Sequence, residues 1–140
     1  MKKIIFLIAA VFVFTTLSAQ NPADIAQVKS INATLAKLKV KFDNNSSSLP
    51  EAKSTEKLIQ GIAETINSIT KQIPKGYSLN VIGHASKSGT DEYNKKLGKR
   101  RAREVQSRLN TAGVANNTLK IRSEGEKANK RAVTFKVLKD

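Results

Sequence analysis

The chain is 140 residues long, and its 25 lysines and arginines outnumber 11 acidic residues, which gives a net charge of +14. This length is enough for a single domain with one core, and the absence of cysteine excludes a disulfide scaffold and any thiolate metal site. The basic excess predicts attraction to anionic partners.

The first 19 residues have the pattern of a secretion signal. Lys2 and Lys3 form a positive start, residues 4–14 are an almost unbroken apolar run, and residues 15–19 are rich in small side chains. Such a run suits a signal peptide and is too short for a membrane-spanning helix. We therefore predict a signal peptide at residues 1–19, cleaved after Ala19. An uncleaved N-terminal anchor is the alternative.

This signal changes which anionic partners are expected. We predict secretion across the inner membrane, to the periplasm or to the outer membrane. No cysteine follows the apolar run, so a lipoprotein is not expected. The partners to expect are then peptidoglycan or another anionic envelope polymer, rather than nucleic acid. The alternative explanation of the charge is that it only keeps the protein soluble.

Residues 20–36 form an N-terminal lead segment whose structure the sequence leaves open between a helix, a strand extension and disorder. Asn21, Pro22 and Asp24 favour the start of a helix. From residue 38 to 42, apolar residues alternate with lysines, as in a half-buried strand. We predict a first strand there.

Two long helices are predicted with a second strand between them. The first covers about residues 50–73, where Ser48 and Glu51 fit a capping box and one face is apolar. The second strand follows at about residues 77–82. The second helix covers about residues 91–110, with Thr90 as its N-cap.

Two further strands complete the predicted domain. Leu119 and Ile121 mark the third strand, and alternation from Val133 to Val137 marks the fourth, after a turn that we interpret as an end hairpin. The order β-α-β-α-β-β predicts an α/β two-layer sandwich over residues 37–140, with a mixed sheet packed by two helices. The expected core comprises Leu58, Ile62, Ile66, Val81, Leu97, Val105, Leu109, Ile121, Val133 and Phe135.

Arg101 lies on the wrong face of the second helix. It comes one turn after Leu97 and one turn before Val105, in the middle of the apolar arc. A guanidinium there is costly unless it is paired or faces a ligand. Periodicity alone leaves two explanations open: an internal salt bridge or a stem laid over the core, and a fork aimed at the carboxylate of a ligand.

The sequence around this arginine resembles the peptidoglycan-binding OmpA C-terminal-like domain. The family pattern is a strand that ends in Gly-His-Thr-Asp, followed by Gly, Tyr-Asn, Leu-Ser and Arg-Ala. The matching residues are Gly83, His84, Gly89, Tyr93, Asn94, Leu97, Arg101 and Ala102. Residues 119–126 resemble the family's Gly-x-Gly-Glu turn, and residues 129–133 resemble its closing Asn-Arg-Arg-Val. The resemblance covers about residues 37–138.

The resemblance implies a binding site for the peptide stem of peptidoglycan. In such domains the arginine pairs with the free carboxylate of diaminopimelate, and the aspartate pairs with its ammonium. Carried over, Arg101 and Asn94 match, whereas Ser86 replaces the aspartate. The closing motif departs as well, because its loop is short and Ala132 occupies the place of its second arginine. The candidate ligand-binding residues are Arg101, Asn94, Ser86, Gly83, Gly89 and Arg131.

Other chemistry has little support in the sequence. His84 is the only histidine, which we interpret as structural, and no carboxylate cluster accompanies it. We expect no catalytic residue, no metal site and no cofactor. Three function classes remain: a stem-peptide binding module, a scaffold that binds envelope polyanions by charge, and an accessory subunit of another envelope protein.

Overall fold

The computed structural model describes residues 20–140, and the predicted signal peptide lies outside the described residues. Three helices and four strands follow in chain order: α1 (Pro22–Leu35), β1 (Lys39–Lys41), α2 (Lys53–Thr70), β2 (Tyr77–His84), α3 (Asp91–Thr111), β3 (Leu119–Gly125) and β4 (Ala132–Lys139). The strands form a mixed sheet in the order β1-β4-β2-β3. The predicted α/β sandwich is confirmed.

The predicted end hairpin is wrong, because β2 lies between β3 and β4. Strand β2 pairs in parallel with β3 on one side and antiparallel with β4 on the other. The segment between β3 and β4 therefore crosses the end of β2 instead of reversing onto its own strand. Strand β4 is central, which explains why Val133, Phe135 and Val137 are all buried.

The lead segment is helical, so three helices and not two pack with the sheet. The Asn21 side chain caps α1 by accepting a hydrogen bond from the Ala23 N–H, and Pro22 occupies the first turn. Ile31 and Leu35 of α1 belong to the same core as the strand residues.

Helix α2 starts later than predicted, and its buried face includes Ile59 and Ala63 in place of Leu58. Its N-cap is Ala52, which makes no side-chain capping bond, so the capping box of Ser48 and Glu51 does not form. Leu58 is 44 % exposed, against the prediction that it belongs to the core, whereas Ile59 and Ala63 are buried. Residues 59, 62, 63 and 66 have the i, i+3, i+4, i+7 spacing of a buried helical stripe, which decides the rotation.

A pair of glycines brings α3 into backbone contact with β2. A Cβ atom on Gly83 would lie 1.7 Å from the carbonyl oxygen of Gly98, and one on Gly98 would lie 2.5 Å from the Oγ atom of Ser123. A glycine inside a helix costs about 1 kcal/mol relative to alanine, and the close approach of helix and strand offsets that cost. The contact holds α3, and with it Arg101, against the end of β2.

Candidate functional site

Arg101 is entirely buried, with none of its surface exposed. Its Nε donates to the carbonyl oxygen of Ser46 at 2.7 Å, one Nη donates to that of His84 at 2.8 Å, and the other donates to that of Asp43 at 3.0 Å. The guanidinium also lies over the Phe42 ring, 5.3 Å from its centroid. Arg101 therefore ties the loop after β1 to the end of β2.

No carboxylate among residues 20–140 forms a salt bridge with this guanidinium. The internal salt bridge, one of the explanations that periodicity left open, is thus absent from the described chain, and backbone carbonyls take its place. Burial lowers the pKa of Arg101, and the positive charge of Arg131 lowers it further. A buried cation balanced only by carbonyl dipoles remains electrostatically favourable for an anion.

Asn94 lies in a second part of the site, next to Gly89. It is buried, and its amide nitrogen donates to a carboxylate oxygen of Glu126 at 2.7 Å. A Cβ atom on Gly89 would lie 3.8 Å from the Asn94 amide oxygen, so the glycine and the asparagine are neighbours. The backbone of Gly89 has φ +93°, which favours glycine. Glu126 thus fixes the orientation of the Asn94 side chain.

The loop that follows β2 is tied to the turn between β3 and β4. The Ala85 N–H donates to the Gly125 carbonyl at 2.8 Å, and the Lys87 N–H donates to the Asn129 side chain at 2.9 Å. Ser86 is partly exposed, and its hydroxyl lies 3.1 Å from that of Ser88. The position of the family aspartate is therefore partly exposed, and the backbone on both sides of it is held by hydrogen bonds.

The structure brings together some of the predicted residues and shows partners that the sequence analysis did not name as site residues. Gly83 lies under the helix as a packing residue, and Arg131 is exposed beside Arg101. The additional partners are the carbonyl oxygens of Asp43 and Ser46 and the side chains of Glu126 and Asn129. Glu126 could have been predicted as a site residue from the sequence, because it ends the Gly-x-Gly-Glu-like turn. A carbonyl oxygen has no sequence signal.

The family model of the OmpA family matches residues 41–137, about two thirds of the chain. The chain belongs to the OmpA family. No curated protein sequence matches it.

Several solved structures have the same fold as this chain. The peptidoglycan-associated lipoprotein from Burkholderia pseudomallei is 25% identical, with a TM-score of 0.61, and the match covers 80% of this chain and 99% of that one. The C-terminal domain of Helicobacter pylori MotB is 22% identical, with a TM-score of 0.56, over 73% of this chain and 84% of that one. An outer membrane protein from Borrelia burgdorferi B31 is 22% identical, with a TM-score of 0.57, and the match covers 71% of this chain and 84% of that one.

His84 of this OmpA-family chain is 2 % exposed and links the site to the rest of the sheet. Its Nε2 lies 2.8 Å from the Thr134 hydroxyl. Its Nδ1 has no hydrogen-bond partner among the described residues, and the nearest carboxylate, of Glu124, lies 3.5 Å away. Burial, and then the positive charge of Lys130, lower the pKa of His84 to about 4, so the ring is neutral at pH 7.

Residues 20–140 contain no group of three or more His, Asp or Glu side chains that could hold a metal ion. The helices of the same region include none that is long and apolar enough to cross a membrane.

Proposed function

We propose that residues 37–140 are a non-catalytic module of the bacterial cell envelope that binds the peptide stem of peptidoglycan. The observation that carries the proposal is the buried Arg101, a cation that no described carboxylate neutralises, at the end of β2 beside the loop of residues 83–89. Membership of the OmpA family and the likeness to a peptidoglycan-associated lipoprotein support the ligand class and a periplasmic or outer-membrane location.

Arg101 has two N–H groups left for a ligand. A guanidinium has five donors, and the three described bonds use one on each nitrogen. The side chain has no exposed surface, so a stem carboxylate would reach it only if the loop of residues 43–48 moved aside and the bonds to the Ser46 and Asp43 carbonyls were given up to the ligand. That loop is rich in asparagine and serine and contains Asn45 at φ 54°.

The serine at position 86 predicts weak binding of diaminopimelate stems. It cannot provide a negative charge for the ligand ammonium, and loss of one partner from a desolvated charge pair costs about 2–5 kcal/mol. A stem or other ligand that has a carboxylate and no such ammonium should bind better.

The test is titration calorimetry of a soluble diaminopimelate stem peptide against three variants. Ser86→Asp should tighten binding at least tenfold, because it restores the missing charge pair. Ser88→Asp is the matched control, since it adds the same charge two residues later in the same loop. Arg101→Lys should abolish specific binding, because a point charge cannot reproduce the fork.

Folding has to be measured beside binding, because Arg101 also holds two loops together. Urea unfolding of each variant separates loss of the site from loss of the fold. If Ser86→Asp binds no better than Ser88→Asp, or if folded Arg101→Lys binds as the parent does, this pocket does not bind stem peptides.

The basic excess favours a second candidate function: a scaffold that binds anionic envelope polymers, or a partner protein, by charge. The exposed cations of α3 support it, since two of them have only exposed i, i+4 partners, in the pairs Lys95–Asp91 and Lys96–Glu92. Exposed pairs of this kind are weak and leave the cations available.

A further inference from the structure

A cleft of about 330 Å³ lies on the sheet, outside the site around Arg101. Its lining includes Asn32 from the end of α1, His84 of β2 and Glu124 of β3. Lys130 from the turn before β4, together with Thr134 and Lys136 of β4, also lines it. Thr134 pairs with Ile82, two residues before His84, so these side chains share one face of the sheet.

The ring of His84 provides an unused polar atom in this cleft. More than nine-tenths of the side chain is buried, and its Nδ1 has no hydrogen-bond partner among the described residues. When the Thr134 hydroxyl donates to Nε2, the ring proton is on Nδ1, which is then a donor without an acceptor. The Glu124 carboxylate at 3.5 Å is beyond the usual hydrogen-bond distance. A buried donor without an acceptor is unfavourable, so the cleft favours an occupant that accepts a hydrogen bond.

The charges around the cleft are mostly positive. Lys130 and Lys136 line it, and Lys39 of β1 is the cross-strand neighbour of Thr134. Only Glu124 opposes these three cations among the lining residues. Its side chain is 46% exposed, so it can turn away when an anion enters.

We propose that this cleft binds a phosphate group. Lys130 and Lys136 provide the charge, and the Nδ1–H of His84 provides a buried donor in the tautomer in which the Thr134 hydroxyl donates to Nε2. The proposal goes beyond stem-peptide binding, because the cleft is lined neither by Arg101 nor by any residue of the loop of residues 83–89 other than His84. The two sites meet only at His84, whose ring lines the cleft and whose carbonyl accepts from Arg101.

The test is a titration of the protein spanning residues 20–140 with inorganic phosphate at constant ionic strength. The readouts are the imidazole nitrogen signals of His84 and the amide signals of Thr134 and Lys130 in NMR spectra. We expect saturable shifts at these three residues. Sodium chloride at the same ionic strength is the reference and should produce none of these saturable shifts.

Four variants test the assignment of roles. Lys130→Gln and Lys136→Gln should each weaken phosphate binding about fivefold or more, since each removes a charge-assisted bond. Glu124→Gln should tighten it, because the opposing charge is removed. Lys57→Gln is the matched control, as it removes one exposed lysine from α2, outside the cleft.

Absence of saturable shifts at His84, or an equal loss of affinity in Lys57→Gln, would overturn the proposal. Vesicles of phosphatidylcholine, with and without phosphatidylglycerol, identify the source of the phosphate. If it is a lipid headgroup, retention on the anionic vesicles falls more in Lys130→Gln and Lys136→Gln than in Lys57→Gln. If the ligand is free phosphate, the anionic vesicles retain the three variants equally, while the titration with inorganic phosphate still saturates. We expect these variants to leave the affinity for stem peptide unchanged. A failure of the phosphate proposal can therefore be told apart from a failure of the proposed stem-peptide function.

Discussion

At the scale of single residues, two buried basic side chains near the end of β2 are stabilised in different ways. Arg101 keeps its charge because three carbonyl oxygens surround it. His84 is kept neutral, because burial and the nearby Lys130 disfavour its protonated form. The neutral ring makes stability depend on pH.

We predict that His84 destabilises the fold in acid. Its pKa is about 4 in the folded state against 6.5 for an ordinary histidine side chain, so the unfolded chain takes up the proton first. The stabilising contribution is complete above pH 6.5 and is lost as the pH falls towards 4, by about 3 kcal/mol in total. Urea unfolding at pH 7.5, 5.5 and 4.5 measures the loss.

The control for this pH dependence is His84→Gln, which cannot titrate and can still bond to Thr134. Its unfolding free energy should fall less than that of the parent over the same pH range. Equal losses in the two proteins would assign the effect to carboxylates elsewhere.

At the scale of elements, α1 completes the edge of β4 that β1 is too short to cover. Strand β1 pairs only with residues 132–134 of β4. Beyond them, the Asn32 side chain accepts from the Val137 N–H at 2.7 Å and donates to the Val137 carbonyl at 3.0 Å. One side chain thus reproduces the pairing of a neighbouring strand and closes an edge that would otherwise be open.

We predict that Asn32→Ala lowers the unfolding free energy by about 2–3 kcal/mol, because two partly buried backbone groups lose their partners. Chemical denaturation measures the change. Gln27→Ala is the control on the same helix. It removes an exposed bond to the Gln72 carbonyl and should cost less than about 1 kcal/mol. If the two variants lose equal stability, α1 does not act through the β4 edge.

At the scale of the whole molecule, the net positive charge and the site around Arg101 should contribute differently to binding of the cell envelope. The net charge of +14 includes Lys2 and Lys3 of the predicted signal, so residues 20–140 remain strongly basic. Surface attraction is screened within about 8 Å at physiological salt and within about 3 Å at 1 M. A bond made inside a water-excluded pocket is screened much less.

We predict that retention on purified sacculi decreases steeply between 50 mM and 500 mM sodium chloride and then reaches a residual level. That residual level should disappear in Arg101→Lys and in the presence of soluble stem peptide. Cosedimentation with sacculi measures both components. Retention that does not change with salt would show that charge is not the main contribution, and a residual level that competitor leaves intact would argue against the pocket.

The sequence alone determined the fold class, most of the strands and helices, and the residues of the family pattern. Each of these depends on local periodicity or on a spaced motif, which a single chain displays directly. The alternation in β4 and the run of Gly83, Asn94 and Arg101 are signals of this kind.

The tertiary structure decided which surfaces those elements bury and which atoms Arg101 contacts. The rotation of α2, which exposes Leu58, depends on how the helix packs, because residues 58 and 59 both continue an apolar stripe. The position of β4 between β1 and β2 depends on pairing between distant strands. The partners of Arg101 are backbone carbonyls, two of them more than 50 residues away. Every residue has such an oxygen, so only the folded chain selects the three that hold the guanidinium.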